Sequence, residues 1–366
     1  MIFVLFLTLE VSTRLDDAIK YDAPLWRDYS GNDLRAKDND GLTYNVPTAK
    51  FEKWQHNSLG FRGTEIMHNK SSGVVRVVCV GTSESYGLYE SPNKEWPSQL
   101  QKLLPSPKFE VVNASVVGFS LPSYGAYLKK HVFPLNPDVI ILVIHPFMYV
   151  SNLEKATTEM SAPPNTTEKN ESINSSLAKK LWRKTRILPK IKFVIRQLVA
   201  NNLPFALKRY QLWSVEKEIE NIERLRLNGR RPMDTVPDND LKYFQKELNS
   251  LVALIRSKGI KVMLTTYPTL ISYDNISQYK EIFLDNRRYC IYLSLYGMVD
   301  AAYKINAVIE HTSIEKRTML FDAASIIPKS TDYFGDNVHY TDNGAKLFAE
   351  GIARQLICKK HPVTSS

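Results

Sequence analysis

Short apolar runs alternate with amphipathic stretches along most of the chain. Val74 to Val80 is apolar apart from Arg76, which reads as a buried strand. Phe109 to Val112, Val139 to Ile144, Lys261 to Pro268 and Met319 to Asp322 read the same way. Between them Trp96 to Leu104, Tyr124 to Val132, Val215 to Leu227, Leu241 to Lys258, Tyr289 to His311 and Asn343 to Leu356 carry helical spacing. Gly259 closes the Leu241 to Lys258 pattern as a C-cap residue does. Strands alternating with helices predict an α/β fold, a parallel sheet covered on both faces. Residues 1–70 show little periodicity and end in the turn-rich segment Asn57 to Gly63.

Two segments break the alternation. The chain starts with nine apolar-leaning residues, Met1 to Leu9, then turns polar from Glu10 to Asp17. Nine residues fall short of the ~20 needed to cross a bilayer. The end of a membrane anchor and an ordinary buried helix start both fit, and the abrupt polar turn favours the anchor. The second segment follows residues 153–176, which are rich in Ser, Thr, Asn, Glu and Pro and read as a surface loop.

Charge is concentrated in that second segment. Of 48 basic and 38 acidic residues, ten basic ones lie between Ser172 and Val215 with no acid among them. That local +10 equals the net charge of the chain, so the remainder sums to zero. This excludes nucleic acid as a partner of the whole surface and confines any electrostatic partner to the segment Lys179 to Arg209. Apolar residues interleave with the basic ones, giving amphipathic helices broken near Pro189 and Pro204. Either they lie on anionic lipid, or they form a helical insertion whose lysines are merely solvated. Three cysteines without a CxxC pair give neither a disulfide scaffold nor a zinc site, and no metal or cofactor is expected.

Chemistry-bearing residues gather at two places. Gly81-Thr82-Ser83-Glu84-Ser85-Tyr86-Gly87 follows the first strand directly, so Ser83 sits at a carboxyl edge where doubly wound sheets bind ligands. Backbone N–H groups at the next helix start could hold an oxyanion. Asp336-Asn337-Val338-His339 precedes the last helix, and its spacing lets the carboxylate fix the imidazole tautomer while the other ring nitrogen faces a hydroxyl. A phosphate cradle is the competing reading of the first motif, but neither a GxGxxG nor a Walker lysine follows it. Of the other six histidines only His68 has an acid three residues before it, Glu65, and that pair does not precede a predicted helix.

These motifs resemble the SGNH/GDSL hydrolases, in their bacterial membrane-associated form, over roughly residues 57–152 and 215–358. The resemblance implies a three-layer α/β/α sandwich with a parallel five-stranded sheet, of flavodoxin-like type. It implies Ser83 as nucleophile, His339 as base and Asp336 as its orienting partner, with the N–H groups of Ser83 and Gly118 as oxyanion donors. The chain then divides into an N-terminal segment 1–56, a hydrolase-like domain 57–358 with an insertion at 153–214, and a tail 359–366. The expected activity is hydrolysis or transfer of small acyl groups of esters or acylated carbohydrate. The expected location is extracytoplasmic, at a membrane.

Two positions depart from the family pattern. Met148 stands where the family's third block carries an asparagine that donates to the oxyanion, and Met cannot donate. Asn152 or His145 could substitute, or the chain could be a non-catalytic relative that binds carbohydrate or supports a membrane-linked assembly. Thr82 replaces the usual aspartate. Tyr86, Tyr124 and Tyr149 could line the crevice or simply pack, and Cys79 reads as a small buried strand residue.

Overall fold

The computed structural model describes residues 1–27, 29–146, 185–188, 190–191, 204–227, 231–287 and 289–358. Helix α1 (Ile2–Tyr21) leads into two small antiparallel hairpins, β1 (Arg35–Lys37) with β2 (Thr43–Asn45), and β3 (Lys50–Phe51) with β4 (Trp54–Gln55). The main sheet follows: β5 (Val75–Val80), β6 (Phe109–Asn113), β7 (Val139–Leu142), β8 (Lys261–Thr265) and β9 (Met319–Phe321), in the order β6-β5-β7-β8-β9 and parallel throughout. All five correspond to the apolar runs of the sequence. They read plainly because strands covered on both faces need no polar alternation.

The connecting helices are α2 (Ser83–Tyr86), α3 (Trp96–Leu103), α4 (Leu121–Tyr127), α5 (Pro204–Arg226), α6 (Asp238–Arg256), α7 (Lys280–Arg287), α8 (Leu295–Glu315), α9 (Ala323–Ile326) and α10 (Asp342–Cys358). α3 packs on α10, with Trp96 against Phe348 at 4.9 Å between ring centroids. α4 and α8 both pack on α6. The sheet lies between these two groups, giving the three-layer α/β/α sandwich and its flavodoxin-like strand order.

Charged side chains enter the core, Arg76 among them. Arg76, in the middle of the apolar β5, is fully buried. Its guanidinium donates to the carbonyls of Met67, His68 and Leu135 and pairs with the Glu110 carboxylate, so each of its three nitrogens has a partner.

α1 runs far past the polar turn at Glu10, and its faces are inverted. Glu10, Thr13 and Asp17 are buried, while Val4, Leu5, Leu7, Val11, Leu15 and Ile19 are between 46% and 85% exposed. The cause lies in the distant basic segment. The Glu10 carboxylate accepts the backbone N–H groups of Arg186 and Ile187 at 2.9–3.0 Å, and Lys190 pairs with Asp17 at 3.0 Å. Burial would raise the Glu10 pKa, but those N–H groups and Arg14 outweigh it and hold the carboxyl below its usual range. No helix among the described residues is long and apolar enough to cross a membrane. Most of the 153–214 segment and the 359–366 tail lie outside the described residues.

Candidate active site

Ser83 opens α2, one turn beyond the carboxyl end of β5. The turn is tight because Thr82 caps it: the Ser83 N–H donates to Thr82 Oγ1. Thr82 and Glu84 are buried while Ser83 stays half-exposed, so the hydroxyl alone of this triplet faces outward. The second motif forms a compact turn before α10. The Asp336 Oδ1 accepts the N–H groups of Val338 and His339, both at 2.8 Å. Its Oδ2 lies 2.7 Å from His339 Nδ1, and His339 Nε2 lies 2.8 Å from Ser83 Oγ. Residues 256 positions apart thus meet in one hydrogen-bonded line at the carboxyl edge of the sheet.

Electrostatics suits that line. Burial would raise the Asp336 pKa, but the His339 imidazole and the two backbone N–H groups outweigh it and hold the carboxyl below the usual carboxylate range. An ionised Asp336 accepts from Nδ1–H and leaves Nε2 as the acceptor facing Ser83. The imidazole is held flat by Tyr89, whose ring stacks on it at 4.8 Å and 21°. Gly335 makes room for that stack, because a Cβ there would stand 2.4 Å from Tyr89 Cδ2.

The oxyanion side differs from expectation in one donor. The Ser83 N–H lies against Thr82 Oγ1 of the preceding residue, so a developing oxyanion would share it with that oxygen. Thr82 in turn donates to the Glu84 carboxylate at 3.2 Å. Thr82 therefore has a structural task that its substitution for aspartate did not suggest. Gly118 stands in the loop after β6, exposed and at φ +80°, and its N–H meets no acceptor among the described residues. Asn152, Met148 and Tyr149 lie outside the described residues. His145 follows β7 in the field of His339 and Asp336; burial first, then the charge of His339, pushes its pKa down to about 3, and its ring packs on Tyr267 at 4.9 Å.

Of the other tyrosines named from sequence, Tyr86 and Tyr124 are core residues, hydrogen-bonded to His56 and to the Val143 carbonyl. Tyr89 was the one missed. It stands six residues after Ser83 with no motif to mark it. Glu84 was missed as well: it is fully buried beside the nucleophile, its pKa raised by that burial. Cys79 is buried within β5, its thiol pushed upward by burial. Among the described residues no cluster of His, Cys, Asp or Glu could hold a metal ion.

No protein-family model and no curated protein matches the chain. Solved structures of similar shape include an α/β hydrolase enzyme from the metagenome of Lake Arreo, Spain, at 11% identity and a TM-score of 0.44, covering 78% of this chain and 97% of that one. A catalytic mutant of an acetylxylan esterase from Geobacillus stearothermophilus has 12% identity and a TM-score of 0.43, covering 77% and 94%. A GDSL-like lipase from Bacteroides thetaiotaomicron has 13% identity and a TM-score of 0.41, covering 78% and 89%. Likenesses this distant leave the functional reading to the chain's own site.

Proposed function

We propose that the chain is a serine ester hydrolase of the SGNH/GDSL type, acting on small acyl esters, with acylated carbohydrate as a substrate class. The observation that carries this reading is the continuous line Asp336–His339–Ser83, with both hydrogen bonds under 3 Å. Ser83 Oγ attacks the ester carbonyl as His339 Nε2 takes its proton. The alcohol leaves with that proton, and water, activated by the same imidazole, releases the acid from Ser83. A sugar hydroxyl replacing that water makes the reaction a transfer.

One observation favours the non-catalytic, carbohydrate-binding alternative: the Ser83 N–H lies against Thr82 Oγ1. Labelling with a fluorophosphonate probe separates the two. The expected adduct maps to Ser83 and is absent from Ser83→Ala. A folded protein left unlabelled by a probe that modifies a control esterase would end the esterase reading.

We further propose that the protein works against an anionic membrane surface. The apolar stripe of α1 faces outward, and Arg186 and Lys190 tie the basic segment to the opposite face of the same helix. Lys179, Lys180, Arg183 and Lys184 lie within seven residues of Arg186 in the sequence. An apolar helix face beside dense positive charge suits lipid headgroups of negative charge. The protein should co-sediment with vesicles containing phosphatidylglycerol and not with pure phosphatidylcholine, and the Val11→Glu/Leu15→Glu double variant should stay in the supernatant. A dimer dispersed by the same pair, with no vesicle binding, would assign the stripe to a second copy instead.

A further inference from the structure

The amide that carries the Gly118 N–H is the one that carries the Val117 carbonyl. The Arg35 guanidinium donates to that carbonyl at 2.8 Å through Nη1. It lies close on the same loop: a Cβ added to Gly118 would come within 3.7 Å of Nη1. The N–H end of the amide is free of acceptors among the described residues, and Gly118 is exposed at φ +80°. A second bond from the same hairpin holds the loop: Asn45 Nδ2 donates to the buried Ser115 carbonyl at 3.0 Å.

We infer that Arg35 is a positioning residue for the oxyanion site, acting through the Val117–Gly118 peptide. This rests on the esterase reading above and on the oxyanion role the family resemblance gives Gly118, whose loop is tied to the nucleophile turn by the Val116 N–H donating to the Gly81 carbonyl at 3.1 Å. A positive charge on the carbonyl end of an amide polarises it and strengthens its N–H as a donor. It also fixes the rotation of a peptide next to a glycine, where little else does. The demand on this one amide is high. The Ser83 N–H lies against Thr82 Oγ1, and Met148 replaces the family's side-chain donor. Arg35 thus brings the N-terminal hairpin, far from the triad in sequence, into the chemistry without touching the substrate.

A cavity of ≈ 250 Å³ beside the guanidinium, lined by Asn32, Trp54, Leu88 and Val117 among others, makes the test specific. Arg35→Ala should lower kcat on p-nitrophenyl acetate by about 10- to 10²-fold, less than the ~10²–10³ of deleting an oxyanion donor outright. KM should stay within about twofold, because the amide acts on the transition state. Affinity for a trifluoromethyl ketone, which forms a tetrahedral oxyanion on serine, should fall in parallel with kcat/KM. Arg35→Lys should recover part of the rate, and millimolar guanidinium, but not equal sodium chloride, should restore Arg35→Ala through the cavity. An unchanged kcat in Arg35→Ala, or a loss that neither lysine nor guanidinium relieves, would overturn the inference. A wild-type protein that neither labels at Ser83 nor hydrolyses the ester would instead overturn the esterase reading itself.

Discussion

Ser83→Ala should lower kcat on an activated ester by about 10³–10⁴-fold, with no change in thermal stability. The magnitude follows from what this site contains. Removing the nucleophile of a complete serine hydrolase site costs about 10⁶ in kcat. The resemblance to SGNH/GDSL hydrolases puts Met148 where that family has a side-chain donor, and lack of one such donor, worth ~10²–10³, would start the wild-type rate lower. The loss cannot exceed the catalysis present, so the expected fall is the smaller figure. Stability should hold because Ser83 is half-exposed and its hydroxyl bonds chiefly to His339. Steady-state kinetics beside a melting curve checks both parts. Equal rates for the two proteins would remove Ser83 from the reaction.

What the sequence made legible follows from the range of the interactions involved. The five strands of the sheet could be read because a strand buried on both faces is apolar by itself, with no knowledge of its neighbours. The Asp336–His339 pair could be read because its geometry is local, set within one turn. Ser83 could be read from its place at a strand end. The inverted helix α1 could not. Its Glu10 and Asp17 look like solvent-facing residues until Arg186 and Lys190 arrive from some 170 positions away. The β1–β4 hairpins are two or three residues per strand, too short for alternation to register. Arg35 appears as one more surface cation, because its partner carbonyl lies 82 residues on. Tyr89 shows only once Gly335 has opened the space for its ring.

Asp336→Asn should be at least as damaging as Asp336→Ala, although it keeps shape and most hydrogen bonds. The reason is the pair of backbone donors. Val338 N–H and His339 N–H both point at Oδ1, so an asparagine there must turn its carbonyl oxygen toward them. Its amide NH₂ is then forced against His339 Nδ1, in the place of Oδ2. An NH₂ group only donates, so Nδ1 becomes the acceptor and the ring proton moves to Nε2. Nε2–H faces Ser83 Oγ and can no longer take its proton. An inverted tautomer of this kind costs about 10⁴ in kcat. Alanine leaves the tautomer unconstrained, so part of the imidazole population stays competent. The pH dependence of folding should separate both variants from the wild type. Asp336 is held below the usual carboxylate range, so it contributes stability above the unfolded value of about 3.9. That contribution is lost as pH falls through the folded value, and the asparagine variant should lack that part of the acid limb. Asparagine retaining more activity than alanine would show that the backbone does not pin the carboxylate, and the orienting role assigned to Asp336 would fall with it.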